Sequence, residues 1–174
     1  MSTMPEEAGG CWFPAESNRV EVGVGALALA HHPFYLMTPA LGSCVAVGLW
    51  DATQQHGALA HVMMACPFQN TPSGMEARFA SHAVPEMARR LAQAGSPTRR
   101  LAAKIAGGAA MFRAEGVLAS IGDRNIAEVK KQLELLRIPL HAEDTGERHA
   151  RTVELHLDSG LFVVRSYLYG VKRL

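Results

Sequence analysis

The chain has 174 residues, 48% of them hydrophobic and 19% charged, with a formal net charge of +1. That length suits one domain with a real hydrophobic core, and the composition is that of a folded globular protein rather than a disordered chain. The charge balance argues against a binder of nucleic acid that works by phosphate neutralisation. The most basic stretch, ARRLAQAGSPTRRLAAK, spreads its charges over a helix end and a loop and reads as a solvated face.

Residues 1–18 have neither a helical nor a strand period and are expected to form a flexible N-terminal tail, with one domain over 19–174. MSTMPEEAGG is acidic and polar where a secretory signal needs basic and apolar regions, so a cytoplasmic protein is expected. From Val22 to Trp50 there is no Asp, Glu, Lys or Arg, yet Pro33, Pro39 and the Gly42-Ser43 pair break the run, which excludes a membrane helix there. The apolar runs VEVGVGALALA, SCVAVGLWD and GALAHVMMA read as three β segments, and their continuous apolar character predicts strands covered on both faces.

GMEARFASHAVPEMARRLAQAG changes period: Phe79, Ala83, Met87 and Leu91 recur at helical spacing, with Gly95 as the stop. Pro85 predicts a kink or a restart within that helix. LAAKIAGGAAMF reads as a strand entering a double-glycine turn. In NIAEVKKQLELLRIP, Asn125 and Glu128 have the spacing of a capping box, and Ile126, Val129, Leu133 and Leu136 form the buried stripe. IPLHAED, ARTVELHLDSG and LFVVRSYL read as strands, with Asp158 to Gly160 as a hairpin turn and one face of the ribbon wet. The predicted architecture is an α/β (α+β) sandwich of mixed sheet covered by two helices.

The three cysteines, Cys11, Cys44 and Cys66, show no CxxC spacing, so neither a disulfide framework nor a zinc site is indicated. Cys44 follows Gly42-Ser43 at a turn-to-strand junction, and His61 follows it by 17 positions, near the middle of the next apolar run. Two strands joined by DATQQHG would set thiol and imidazole side by side, where the imidazole can take the thiol proton. The residues alone leave two readings of Cys44 open: a small buried hydrophobe, or a nucleophile.

TPALGSCVAVGLWD, GALAHVMM, AKIAGGAAMF, IGDRN and AEDTG…AR, five motifs in order over residues 20 to 168, resemble the chemoreceptor glutamine deamidases, the CheD family of bacterial chemotaxis proteins. The resemblance implies an α/β sandwich like that of deamidating toxins, and a cysteine hydrolase that converts glutamine side chains of methyl-accepting receptors to glutamate without a cofactor or metal. It further implies Cys44 as nucleophile, His61 as general base and acid, and Thr38 as the group that orients the imidazole. Oxyanion donors would come from the backbone around Gly42, Ser43 and Cys44. The implied partners are the cytoplasmic helices of the receptors, and a CheC-type phosphatase, with no nucleic acid and no membrane insertion. The chain departs from the family pattern at Pro39 and Ala40, and at Glu147, where DTGERHAR replaces a glycine-richer loop.

The other function class is an adaptor that binds receptor or phosphatase without catalysis; retention of Thr38, Cys44 and His61 together favours the enzyme. A papain-like protease is disfavoured by the short Cys-to-His spacing. Gly107 and Gly108 lack the following Lys-Ser or Lys-Thr of a phosphate loop and read as a tight turn beside the site. Asp144 and Arg151 are expected either to hold loops at the rim by ion pairing, the favoured reading, or to touch the substrate; Cys66 is expected to be structural or a bystander thiol, and the scattered histidines to bind no metal.

Overall fold

The computed structural model describes residues 18–111 and 121–174. The tail expected over 1–18 therefore lies, except for Asn18, outside the described residues. Among the described residues ten strands and two α-helices follow one another: β1 Arg19–Glu21, β2 Leu27–His31, β3 Tyr35–Leu41, β4 Val45–Asp51, β5 His56–Val62, α1 Ala80–Gln93, β6 Leu101–Gly107, α2 Ile121–Leu135, β7 Leu140–Thr145, β8 Arg151–His156, β9 Phe162–Ser166 and β10 Gly170–Arg173. They build two five-stranded sheets, ordered β1-β3-β8-β9-β10 and β2-β5-β4-β6-β7. Each is mixed, with β1–β3 and β6–β7 parallel and the other pairs antiparallel.

The layers follow from side-chain alternation. Along β4, Val45, Val47 and Leu49 point to one face, where they meet Val84, Met87 and Leu91 of α1 and Val129 and Leu133 of α2. Ala46 points to the other face, with Leu59 of β5 and Ala106 of β6, and packs on Leu36, Val153, Leu155, Phe162 and Val164 of the opposing sheet. One sheet is thus sandwiched between the helices and the second sheet. Strands covered on both faces read as unbroken apolar runs, while β8, with one wetter face, alternates Val153 and Leu155 with Glu154 and His156. Each fully buried Val, Leu or Phe side chain contributes about 1.5–3 kcal/mol to this packing.

Several local expectations need correction. VEVGVGALALA is two strands in different sheets, because Gly25 adopts φ +73° and turns the chain between them. YLMTPAL, unassigned in the sequence, is β3. It pairs with β8 as Thr38↔Val153 and then Leu41↔Arg151, so it carries one extra residue. Pro39 and Ala40 occupy this bulge, Ala40 at φ +56°, where a missing ladder N–H is tolerated and the strand is re-aimed. The helix does not restart at Pro85 but runs as a single element from Ala80 to Gln93 with the proline inside it. Proline there frees the carbonyl of Ser81, which is only half-buried and not sealed from water. The capping box is also absent: α2 begins at Ile121, so Asn125 lies inside the helix, 1% exposed.

Candidate active site

Thr38 and His61 meet at one end of the seam between the two sheets, and Cys44 stands just before the neighbouring strand β4. Thr38 comes from β3 of the outer sheet and is fully buried, and His61 comes from β5 of the central sheet, also fully buried. Their side chains touch across the seam: Thr38 Oγ1 lies 2.7 Å from His61 Nδ1 and 2.6 Å from the Val22 carbonyl. A carbonyl only accepts, so the single hydroxyl proton goes to Val22 and a hydroxyl lone pair faces the ring. That arrangement requires Nδ1 to carry the proton. Nε2 then presents a bare lone pair, and it is buried without a hydrogen-bond partner among the described residues.

Cys44 closes the group from the next strand. Ala46 stands directly opposite His61 in the β4–β5 ladder, so Cys44, two residues earlier, is its diagonal neighbour. The thiol side of Cys44 packs with the inter-sheet cluster, the same face that His61 uses to reach Thr38, and the residue is half-buried rather than sealed. Burial pushes the thiol above its ordinary value, partly offset by its own backbone N–H, and burial pulls the His61 imidazole below its ordinary value. Both shifts act in the same sense, favouring the uncharged thiol and the uncharged imidazole.

The bend over residues 42–44 is held by the β6 turn and by α2. Gly108 N–H donates to Cys44 O and Ala109 N–H to Gly42 O, both at 2.8 Å. Gly107 sits at φ +109° with its α-carbon against the Cys44 carbonyl, where a Cβ would collide. The double glycine is thus a tight turn beside the thiol. Gly108 in turn abuts Gly122 of α2, where neither position has room for a side chain. The buried Asn125, one helical turn on, donates its amide hydrogens to Ser43 O and Met63 O, each at 2.9 Å. Sequence reasoning missed this residue: the signal was a polar side chain in the stripe continued by Val129 and Leu133, and it was read as a cap.

Asp144 and Arg151 form a buried ion pair at 3.0 Å, and Arg151 also donates to the carbonyls of Gly146 and His149. Lys172 of β10 donates to the second carboxylate oxygen at 2.7 Å. Arg151 and Lys172 hold the Asp144 carboxyl below the usual carboxylate range, against the effect of its burial. The loop braced in this way returns to the site, since Gly146 N–H donates to Gly107 O and Ala110 N–H to Glu147 O. Glu147, where the family pattern has glycine, adopts φ +61°.

Beyond His61, the segment leaving β5 is bordered by a cavity of about 510 Å³, lined mainly by apolar side chains including Met63, Met64, Phe68, Met75 and Phe79. Cys66, on the same segment, is exposed and apart from the seam. Among the described residues no cluster of three or more His, Cys, Asp or Glu side chains is placed to hold a metal, and no helix is long and apolar enough to cross a membrane.

Comparison with known proteins matches residues 63–166 to the family model described as CheD chemotactic sensory transduction. The chain is 41% identical over 144 residues to the chemoreceptor glutamine deamidase CheD of Thermotoga maritima, covering 83% of this chain and 89% of that one. It is 37% identical over 161 residues to a probable chemoreceptor glutamine deamidase of Geobacter sulfurreducens, covering 91% and 99%. A probable chemoreceptor glutamine deamidase of Methanosarcina barkeri is 36% identical over 160 residues, covering 87% and 99%. With two mixed sheets, two helices, the motif order of the sequence and similarity running through nearly the whole of these relatives, the chain belongs to the CheD family.

Proposed function

We infer that the protein is a chemoreceptor glutamine deamidase, a cysteine amidohydrolase that converts receptor glutamine side chains to glutamate and releases ammonia. The observation that carries the catalytic assignment is the Thr38–His61 contact, which leaves Nε2 proton-free on the face shared with a half-buried Cys44.

In the first half-reaction Nε2 takes the Cys44 proton as sulfur attacks the δ-carboxamide carbon, giving an imidazolium and a tetrahedral oxyanion. The carbon–nitrogen bond then breaks, the imidazolium proton passes to the departing nitrogen, and ammonia leaves a thioester. In the second half-reaction Nε2 deprotonates a water that attacks the thioester. The carbon–sulfur bond breaks, the thiolate recovers its proton, and glutamate is released. Throughout, Nδ1–H donates to Thr38, which orients the ring as a carboxylate does in other triads while stabilising the imidazolium less. Backbone N–H groups at Ser43 and Cys44 are the oxyanion donors in this reading, and the loss of one such donor costs roughly a hundred- to a thousandfold in rate.

The substrates are methyl-accepting receptors, whose cytoplasmic helices would bring the glutamine to the seam. A CheC-type phosphatase is a further partner of the same reading. The test is incubation with a receptor cytoplasmic fragment, following ammonia release and the gain of about one dalton per modified peptide expected for amide-to-acid exchange. Cys44→Ala should abolish both signals, whereas equal activity in the variant would reject the nucleophile.

A further inference from the structure

Three consecutive carbonyls of the bend before β4 are each held from outside it: Gly42 O by Ala109 N–H, Ser43 O by Asn125 Nδ2 and Cys44 O by Gly108 N–H. In a trans peptide the C=O and the following N–H are coplanar and antiparallel, so holding one carbonyl fixes the direction of the next residue's N–H. α2 packs on the face of the central sheet opposite to the seam. Drawing Ser43 O towards α2 therefore aims Cys44 N–H away from the helix, to the side on which the thiol and His61 lie.

Two of the three donors are backbone groups, and only Asn125 acts through a side chain. Asn125 occupies the inward stripe of α2 with Val129 and Leu133, where packing alone would place an aliphatic residue. Its two hydrogens are spent on the ends of two different strands. One holds the residue before Cys44, and the other holds Met63, two residues after His61.

The geometry points to Asn125 as a positioning residue for deamidation: it orients the Cys44 N–H that receives the oxyanion charge and keeps that peptide in register with the strand end bearing His61. This assignment rests on the deamidase reading above. Asn125→Ala should lower kcat on a receptor cytoplasmic fragment by about ten- to a hundredfold, short of the outright loss of an oxyanion donor, with KM changed less than about threefold.

The discriminating readout is alkylation of Cys44 by iodoacetamide, followed by mass spectrometry of the Cys44 peptide. Sulfur there displaces iodide from a CH₂ carbon and no carbonyl oxygen acquires charge, so the rate should stay within about threefold of wild type. Asn125→Leu continues the aliphatic stripe and has no hydrogen to donate, so it should behave as Asn125→Ala does. A folded variant with wild-type kcat overturns the assignment. So does a parallel fall of kcat and alkylation, which would mean general disorder of the thiol, and so does failure of both variants to fold, which would make the residue purely structural. An inactive wild type would instead defeat the deamidase reading itself.

Discussion

Thr38→Val is the sharpest probe of how the site is assembled, because it removes one hydroxyl from a fully buried position and keeps the branched shape. Thr38 Oγ1 accepts from His61 Nδ1 at 2.7 Å and donates to Val22 O at 2.6 Å, so its loss strands a buried donor and a buried acceptor together. An unsatisfied buried donor costs about 1–3 kcal/mol. The ring can escape that cost by moving its proton to Nε2, but Nε2 then has no lone pair for the thiol. Either route raises the barrier by a similar amount, equivalent to about a five- to hundred-and-fifty-fold fall in kcat. Removing the proposed base in His61→Ala should cost more, in the range of about 10²–10⁴ for general acid–base catalysis. Thr38→Ser restores the hydroxyl and should recover most of the activity. The assay is ammonia release from a receptor fragment under saturating substrate. Thr38→Val retaining wild-type kcat within about twofold would refute the tautomer argument.

Gly107→Ala places a Cβ against the Cys44 carbonyl at a φ of +109°, so it should displace the thiol and abolish deamidation, and a fully active variant would contradict the described approach. Arg151→Ala leaves the buried Asp144 carboxylate with Lys172 as its ion-pair partner among the described residues, and urea unfolding should show a loss of about 3–5 kcal/mol, as expected when one partner of a buried pair is removed. A loss under about 1 kcal/mol would mean that the pair is water-exposed in solution. Because burial pulls His61 below its ordinary 6.5, kcat/KM should be flat around neutrality and fall on acidification with a midpoint below 6.5; a midpoint above 7 would contradict a neutral resting imidazole. The same burial lowers His56 and His61 in the folded state only, so the unfolded chain takes up protons first as the pH drops below about 6.5. Their contribution to stability is present above that value and lost below it, which urea midpoints at pH 7.5 and 5.5 should register as a decrease.

Strands β4 and β5 and helix α1 were legible because each is covered in a way that leaves a clear period: unbroken apolar runs for strands buried on both sides, and a 3.6-residue stripe for the helix. β3 was not, because Pro39 argues against a regular strand and the bulge that accommodates it exists only through pairing with β8. The turn at Gly25 hid behind the apolar residues on either side, which is why β1 and β2 read as one segment although they belong to different sheets. Asn125 was misread for a physical reason too. The Asn-x-x-Glu spacing fits a cap, and the carbonyls of Ser43 and Met63 that give it another purpose are 82 and 62 positions away. The Cys44–His61 juxtaposition followed from a short connection between neighbouring strands, whereas the 23-residue separation between Thr38 and His61 is closed only by stacking two sheets.

That stacking makes the enzyme a gauge of its own tertiary order. Cys44 and His61 ride on one layer and Thr38 on the other, so under the proposed mechanism a loosened form that kept its helices and strands but let the layers slide would lose turnover while its far-ultraviolet dichroism stayed native-like. Along a mild denaturant or acid series, activity should therefore vanish before secondary structure does.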